Sequence, residues 1–178
     1  MTPMLPDILA TGLSAVFCGI NPGQRAAGAG HHFDGHGNRF WPTLHLAGFT
    51  PIQLQPCDDA RLLEFGYGMT AVVPRASRSA ADVHVTELRA GLRDLEAKIR
   101  RLRPQAIAFL GKPAWAVYVE GVPFAWGRQT QSFGGSEAWV LPNPSGRNRH
   151  FSLDDLVVAY RELRRALDVP RALSALTA

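Results

Sequence analysis

Two stretches place an asparagine beside a proline directly after an apolar run. Val16-Phe17-Cys18-Gly19-Ile20 breaks into Asn21-Pro22-Gly23, and Ala138-Trp139-Val140-Leu141 breaks into Pro142-Asn143-Pro144-Ser145-Gly146. An asparagine side chain carries one carbonyl acceptor and one amide donor, so Asn21 can position a water, but it is not a useful general base. A reaction that it serves must therefore need little help from the nucleophile. A bond that breaks early and leaves a cationic sugar fits that limit. Asn-Pro is also an ordinary turn after a strand, and from this stretch alone that plainer reading stands beside the chemical one.

Between the two runs, His31-His32-Phe33-Asp34-Gly35-His36 contains metal-ligand residue types. The spacing matches neither a helix-face nor a finger pattern and no partner cysteines occur, so a metal centre is disfavoured. A glycine-flanked aromatic such as Phe33 can instead be a stacking platform for a flat ligand, or can simply pack in the core. The segment Pro142-Asn143-Pro144-Ser145-Gly146-Arg147-Asn148-Arg149-His150 offers backbone N–H groups and hydroxyls to phosphates and side chains long enough to enter a duplex. Phosphate binding alone would explain its arginines. Together with the first loop a sharper alternative arises, in which one loop holds a base and a water while the other holds open a DNA stack. Gly19 to Gly23 has the spacing of neither a phosphate loop nor a dinucleotide fingerprint, which argues against nucleoside triphosphates and NAD.

These loops need elements to position them. The apolar runs 16–20, 106–110 and 138–141 read as buried strands, and Thr70-Ala71-Val72-Val73, closed by Pro74, reads as another. Gln129 to Phe133, Gly134-Gly135 and Ala138 to Leu141 form a hairpin pattern. Val85, Leu88, Leu92, Leu95, Ile99 and Leu102 fall at helical spacing, as do Leu153, Leu156, Val157, Tyr160, Leu163 and Leu167 behind the capping pattern at Ser152. Shorter helices are expected over Arg39 to Gly48, over Asp58 to Phe65 and after Pro113. Gln24 to Gly37 is too rich in glycine, alanine and histidine for a regular element and is expected to be an ordered functional loop. Pro170 and the alanine-rich tail are expected to be peripheral. Strands alternating with helices predict an α/β fold, with a mostly parallel central sheet sandwiched between helices, across a single domain.

Composition narrows the classes. With 178 residues, 46% hydrophobic and 19% charged, the chain is ordinary globular protein, and no apolar stretch is long enough to span a bilayer. Pro3, Pro6 and Gly12 interrupt the N-terminus, so no secretory signal and a cytoplasmic location are expected. Two cysteines make neither a disulfide framework nor an iron–sulfur or zinc cluster, and no cofactor or metal is implied. A net charge of +4 weakly favours a polyanionic partner. Arg100, Arg101 and Arg103, and Arg161, Arg164 and Arg165, read as helix-end or solvated charges, whereas Arg147 and Arg149 flank the second loop.

The whole pattern resembles the mismatch-specific uracil-DNA glycosylases and the related thymine-DNA glycosylases of the uracil-DNA glycosylase superfamily. The resemblance runs from Asp7-Ile8-Leu9-Ala10 through VFCGINPG, GHHF, GNRFW, Gly68-Met69-Thr70, Leu110-Gly111-Lys112 and WVLPNPSG to AYREL. The pairing of GINPG with NPSG, in that order, carries most of its specificity. It implies that Asn21 positions the hydrolytic water, that Phe33 stacks on a base flipped from duplex DNA, and that Ile20, Ala26, His32 and Asn143 line the base pocket or its mouth. Ser145 and Gly146 would grip the backbone, and the segment through Arg147, Asn148 and Arg149 would fill the gap and read the opposing guanine. The product would be an abasic site, because no lysine stands at the nucleophile position. The implied partner is double-stranded DNA with a mismatched or damaged pyrimidine, bound by a monomer that sits on the nucleoid through DNA.

The chain departs from the pattern at three places. Ala26 replaces the serine of the bacterial uracil-preferring type, and a smaller side chain there could admit a 5-methyl group. Ala71 replaces a polar or basic residue, and Arg147 replaces an apolar wedge, where its guanidinium can read guanine or phosphate instead. Two other classes compete with the glycosylase: a nucleotide or nucleoside hydrolase acting on free substrate, and a lesion-binding DNA module without catalysis. Salt-dependent duplex binding separates the first, and insensitivity of turnover to Asn21→Ala the second.

Overall fold

The computed structural model describes residues 4–168; Pro170 and the alanine-rich tail lie outside them. Strands β1 (Ala15–Gly19), β2 (Tyr67–Ala71), β3 (Ala106–Leu110), β4 (Gly127–Phe133) and β5 (Ser136–Leu141) form one sheet in the order β2-β1-β3-β5-β4. β1 runs parallel to β2 and β3, β3 runs parallel to β5, and β4 alone is antiparallel, folded onto β5 through Gly134 and Gly135. The expected α/β architecture is therefore present.

Parallel strands covered on both faces cannot alternate apolar with polar residues, which is why 16–20 and 106–110 read as continuous apolar runs. Their alternation instead divides two cores. Phe17, Met69, Ala108, Leu110, Trp139 and Leu141 face α2 (Phe40–Leu46), α5 (Leu153–Leu167) and the 3-10 helix Pro56–Phe65. Val16, Cys18, Ile107, Phe109, Ala138 and Val140 face α3 (Val85–Leu102) and α4 (Lys112–Tyr118). Burial of Cys18 pushes its thiol far above the ordinary value, so it packs as a small apolar group. Arg161 and Arg164 reach from α5 to the carbonyls of Leu46 and Gly48 at the end of α2, so these two cations are structural, as helix-end charges are expected to be.

Three expectations need correction. The stretch expected to be irregular from Gln24 to Gly37 begins with a helix, α1 (Gln24–Ala29). Gly23 enters it in an extended conformation, Ala26 and Ala27 bury its inner side, and left-handed Gly30 ends it, so alanine content outweighed the glycines. The strand expected at Thr70 to Val73 is instead Tyr67–Ala71; Val72 and Val73 continue past it, still pairing through their N–H groups with the carbonyls of Gly19 and Ile20 at 2.9 Å. Val85 is 42% exposed, because it opens α3 before the helix meets the sheet.

The long helix approaches the end of β2 with no side chain between. A Cβ on Gly91 would stand 2.1 Å from the Val72 carbonyl oxygen, which backbone alone can relieve. Gly91→Ala is therefore expected to destabilise the protein by about 2–3 kcal/mol, through overpacking, despite the better helix propensity of alanine. Denaturant unfolding checks this, and a stabilised variant would show that the helix can move away freely.

Candidate active site

From β1 the chain passes to β2 on one side and returns to β3 on the other, so the connections at the C-terminal end of β1 diverge. Open α/β sheets bind ligands at such a point. A cavity of about 840 Å³ lies there. Gly19 at the end of β1, Ile20 to Pro22 after it, Thr70 and Ala71 of β2, Leu110 of β3 and Asn143 after β5 all line it.

Asn21 is held by its amide nitrogen. Nδ2 donates to Ser77 Oγ at 2.7 Å and faces the carbonyls of Arg75 and Pro22, each at 3.2 Å. The orientation is determined by the partners: Ser77 Oγ gives its own proton to the Ser79 carbonyl at 2.5 Å, so towards Asn21 it can only accept. Carbonyl oxygens also only accept, and the atom facing all three must be the nitrogen. Among the described residues none bonds Oδ1, which is left as an acceptor at the cavity wall. Ser77 reaches this place because the chain after β2 keeps running beside the chain after β1. Its N–H donates to the Pro22 carbonyl at 3.1 Å, and it bridges Gly23 in parallel.

Phe33 also lines the cavity, with φ 56°, a left-handed conformation rare for a bulky residue and of a kind that clusters at functional sites. Its ring stacks on Phe40 at 3.9 Å between centroids, with 19° between planes. Phe40 is itself fully buried and packed edge-on against Phe17 of β1, so the half-buried Phe33 is backed by the core. His32 also lines the cavity. Its backbone N–H donates to Asp59 at 2.9 Å and its Nε2 donates to the Pro6 carbonyl at 2.8 Å, which anchors the segment. Ile20 and Ala26 are buried in the same wall. Asp34 is the carboxylate among the described lining residues, and Arg25 Nε holds it at 3.3 Å.

The second loop closes the opposite rim. Asn143 Oδ1 accepts from the Ser145 N–H at 2.9 Å, and Asn148 Nδ2 returns to the Asn143 carbonyl at 2.8 Å. Gly146 lies against the first loop: a Cβ there would meet the Gly37 carbonyl oxygen at 2.7 Å. Arg147 reaches over the mouth to the Arg78 carbonyl at 3.1 Å. Ser145, Gly146, Arg147 and Asn148 line the cavity, while Arg149 is exposed on the same loop outside the lining. The candidate water-, base- and DNA-binding residues other than Arg149 thus line one cavity.

Sequence reading missed the groups that hold them. Ser77 is one. Arg39 is another: its guanidinium donates to the carbonyls of Phe151, Ser145 and Asn148 at 2.5, 3.0 and 2.8 Å, and its N–H donates to the Pro144 carbonyl. An arginine directly before the apolar Phe40-Trp41 was the available signal, since a half-buried fork of donors must find several acceptors.

A profile of one protein family, described as the Uracil DNA glycosylase superfamily, matches residues 6–164. The chain belongs to the uracil DNA glycosylase superfamily. As a member it is a DNA glycosylase. The fold agrees: a solution structure from Methanosarcina acetivorans, which carries a provisional uracil DNA glycosylase name, superposes with TM-score 0.58 at 17% identity, covering 92% of this chain and 98% of that one. The superfamily match spans both asparagine loops and all the strands between them.

Ser77→Ala removes the acceptor that fixes the Asn21 amide and leaves the fold's packing alone. Single-turnover base release is expected to fall about tenfold or more, the worth of one well-placed hydrogen bond, with duplex affinity retained. A rate equal to that of the unmodified protein would mean that the Arg75 and Pro22 carbonyls suffice.

Proposed function

We propose that this DNA glycosylase removes uracil mispaired with guanine in duplex DNA, in a pocket that also admits thymine or other 5-substituted pyrimidines, as a mismatch-specific or thymine-type member of the superfamily. The observation that carries the reading is the Asn21 carboxamide, held by its nitrogen with its oxygen left over, in the wall of the same cavity that Phe33 lines. That pair is what a water and a flipped base require.

The chemistry follows from the residues present. The flipped base stacks on Phe33, and the bond between its N1 and the sugar C1′ breaks with both electrons leaving on the base, a resonance-stabilised anion. The sugar becomes oxocarbenium-like, and the water accepted by Asn21 Oδ1 adds to C1′ and releases its proton to solvent. Asparagine suffices because the nucleophile arrives late. No lysine lines the cavity among the described residues, which supports release of an intact abasic strand in place of a covalent intermediate. Flipping costs a few kcal/mol and costs least at a weakened pair, which favours mispaired over sound sites. Arg147, set at the mouth beside Gly146, is placed to occupy the vacated stack or to read the opposing guanine once it leaves the Arg78 carbonyl. Ala26, buried in the pocket wall, leaves room that a serine would fill. The chain works as one domain and as a monomer.

Base release from duplexes carrying G·U, A·U, G·T or no lesion, read as strand scission after alkali, tests this reading. G·U is expected to react fastest, sound duplex and free nucleoside not at all, and Ala26→Ser to suppress G·T more than G·U. Turnover of free nucleoside with no reaction on duplex would replace the reading with a nucleoside hydrolase.

A further inference from the structure

The carbonyl of Arg75 is one of the acceptors that hold Asn21, and the side chain of Arg75 leads away from the site to a different element. Its guanidinium meets Glu87 side-on, Nε to Oε1 and Nη2 to Oε2, both at 2.6 Å, and Nη2 also donates to the Asp82 carbonyl at 3.2 Å. Glu87 is the third residue of α3 and caps the helix by accepting from the His84 N–H at 3.2 Å. One turn further along, Gly91 brings the same helix against the Val72 carbonyl. The segment 72–77, which carries both the Arg75 carbonyl and Ser77, is thereby seated at two points on the first turns of an 18-residue helix fixed to the sheet by Leu88, Leu92, Leu95 and Ile99.

A half-exposed ion pair contributes little to overall stability. A bidentate fork nevertheless fixes the relative placement of the two chains that carry it, which a single lysine contact cannot do. Arginine and the helix cap together hold the Glu87 carboxyl down to about 2, so the fork is charged throughout the range in which a glycosylase is assayed.

We propose that Glu87 and Arg75 are positioning residues for base release: the fork between them sets the Arg75 carbonyl and Ser77, and through these the direction in which Asn21 presents its oxygen. This rests on the glycosylase reading of Asn21. It assigns to the N-terminus of α3 a role in the chemical step, although neither side chain of the fork lines the cavity.

The test is single-turnover base release from a G·U duplex by the full chain, with duplex affinity measured in parallel. Glu87→Gln keeps the cap and the shape but loses one arm of the charged fork; Arg75→Lys keeps the charge and loses the fork. Each is expected to lower the single-turnover rate about tenfold with duplex Kd changed less than twofold. Combined with Asn21→Ala, Glu87→Gln is expected to produce no further loss, because the group it orients is gone. Rates within twofold of the unmodified protein for both variants would overturn the proposal, as would an equal further loss in the Asn21→Ala background. If the unmodified protein releases no uracil, or Asn21→Ala releases it as fast, the reading of Asn21 itself fails, a result distinct from insensitivity to Glu87.

Discussion

The proposed reaction depends on one constraint: a carboxamide that must present its oxygen and hide its nitrogen. Asparagine is nearly symmetric in shape, so packing alone cannot choose between the two orientations. Three acceptors around Nδ2 choose for it, and the decisive one is a hydroxyl whose proton is already spent on the Ser79 carbonyl. The rest of the fold can be understood as what brings those acceptors to that point. Parallel pairing of β1 with β2 continues beyond both strands and carries Ser77 alongside Pro22, and α3 seats the continuing chain from behind.

The proposed stacking of a flipped base on Phe33 makes a different demand, that of a flat surface rigid enough to receive a ring. Phe33 is held in a left-handed conformation and stacked on Phe40, which packs in turn against Phe17 of β1. The same stretch of chain then builds the entrance, because Arg39, one residue before Phe40, gathers three carbonyls of the second loop. The close contact of Gly146 with Gly37 completes the joint between the two loops. Platform and entrance are thus parts of one assembly, and each loop is shaped by groups belonging to the other.

Much of this was legible in the sequence, and the division has a physical cause. β1, β3 and β5 announce themselves as apolar runs because both faces of the sheet are covered, and the breakers after β1 and β5 mark the rim where ligands bind. Asn21 and Asn143 stood out as asparagines beside prolines directly after apolar runs and Phe33 as a glycine-flanked aromatic, and it was the family resemblance that gave them roles. The start of β2 was misjudged because Tyr67-Gly68-Met69 lacks β-branched residues, while the branched pair Val72-Val73 lies just past the strand. α1 was missed because glycine and histidine around it obscured a single buried turn of alanines. Ser77, Arg39 and the Arg75–Glu87 fork were beyond reach for a different reason. Their meaning lies in partners 56, 112 and 12 residues away in the chain, and no local pattern encodes a contact of that kind.

The central claim is that the oriented amide of Asn21 acts in the chemical step and not in holding DNA. Single-turnover uracil release by Asn21→Ala, measured together with its affinity for the same G·U duplex, tests it most directly. Loss of one preorganised polar group from the reacting centre predicts a rate lower by about a hundredfold or more, with affinity nearly unchanged. Release at the rate of the unmodified protein, or a fall fully accounted for by weaker duplex binding, would contradict it.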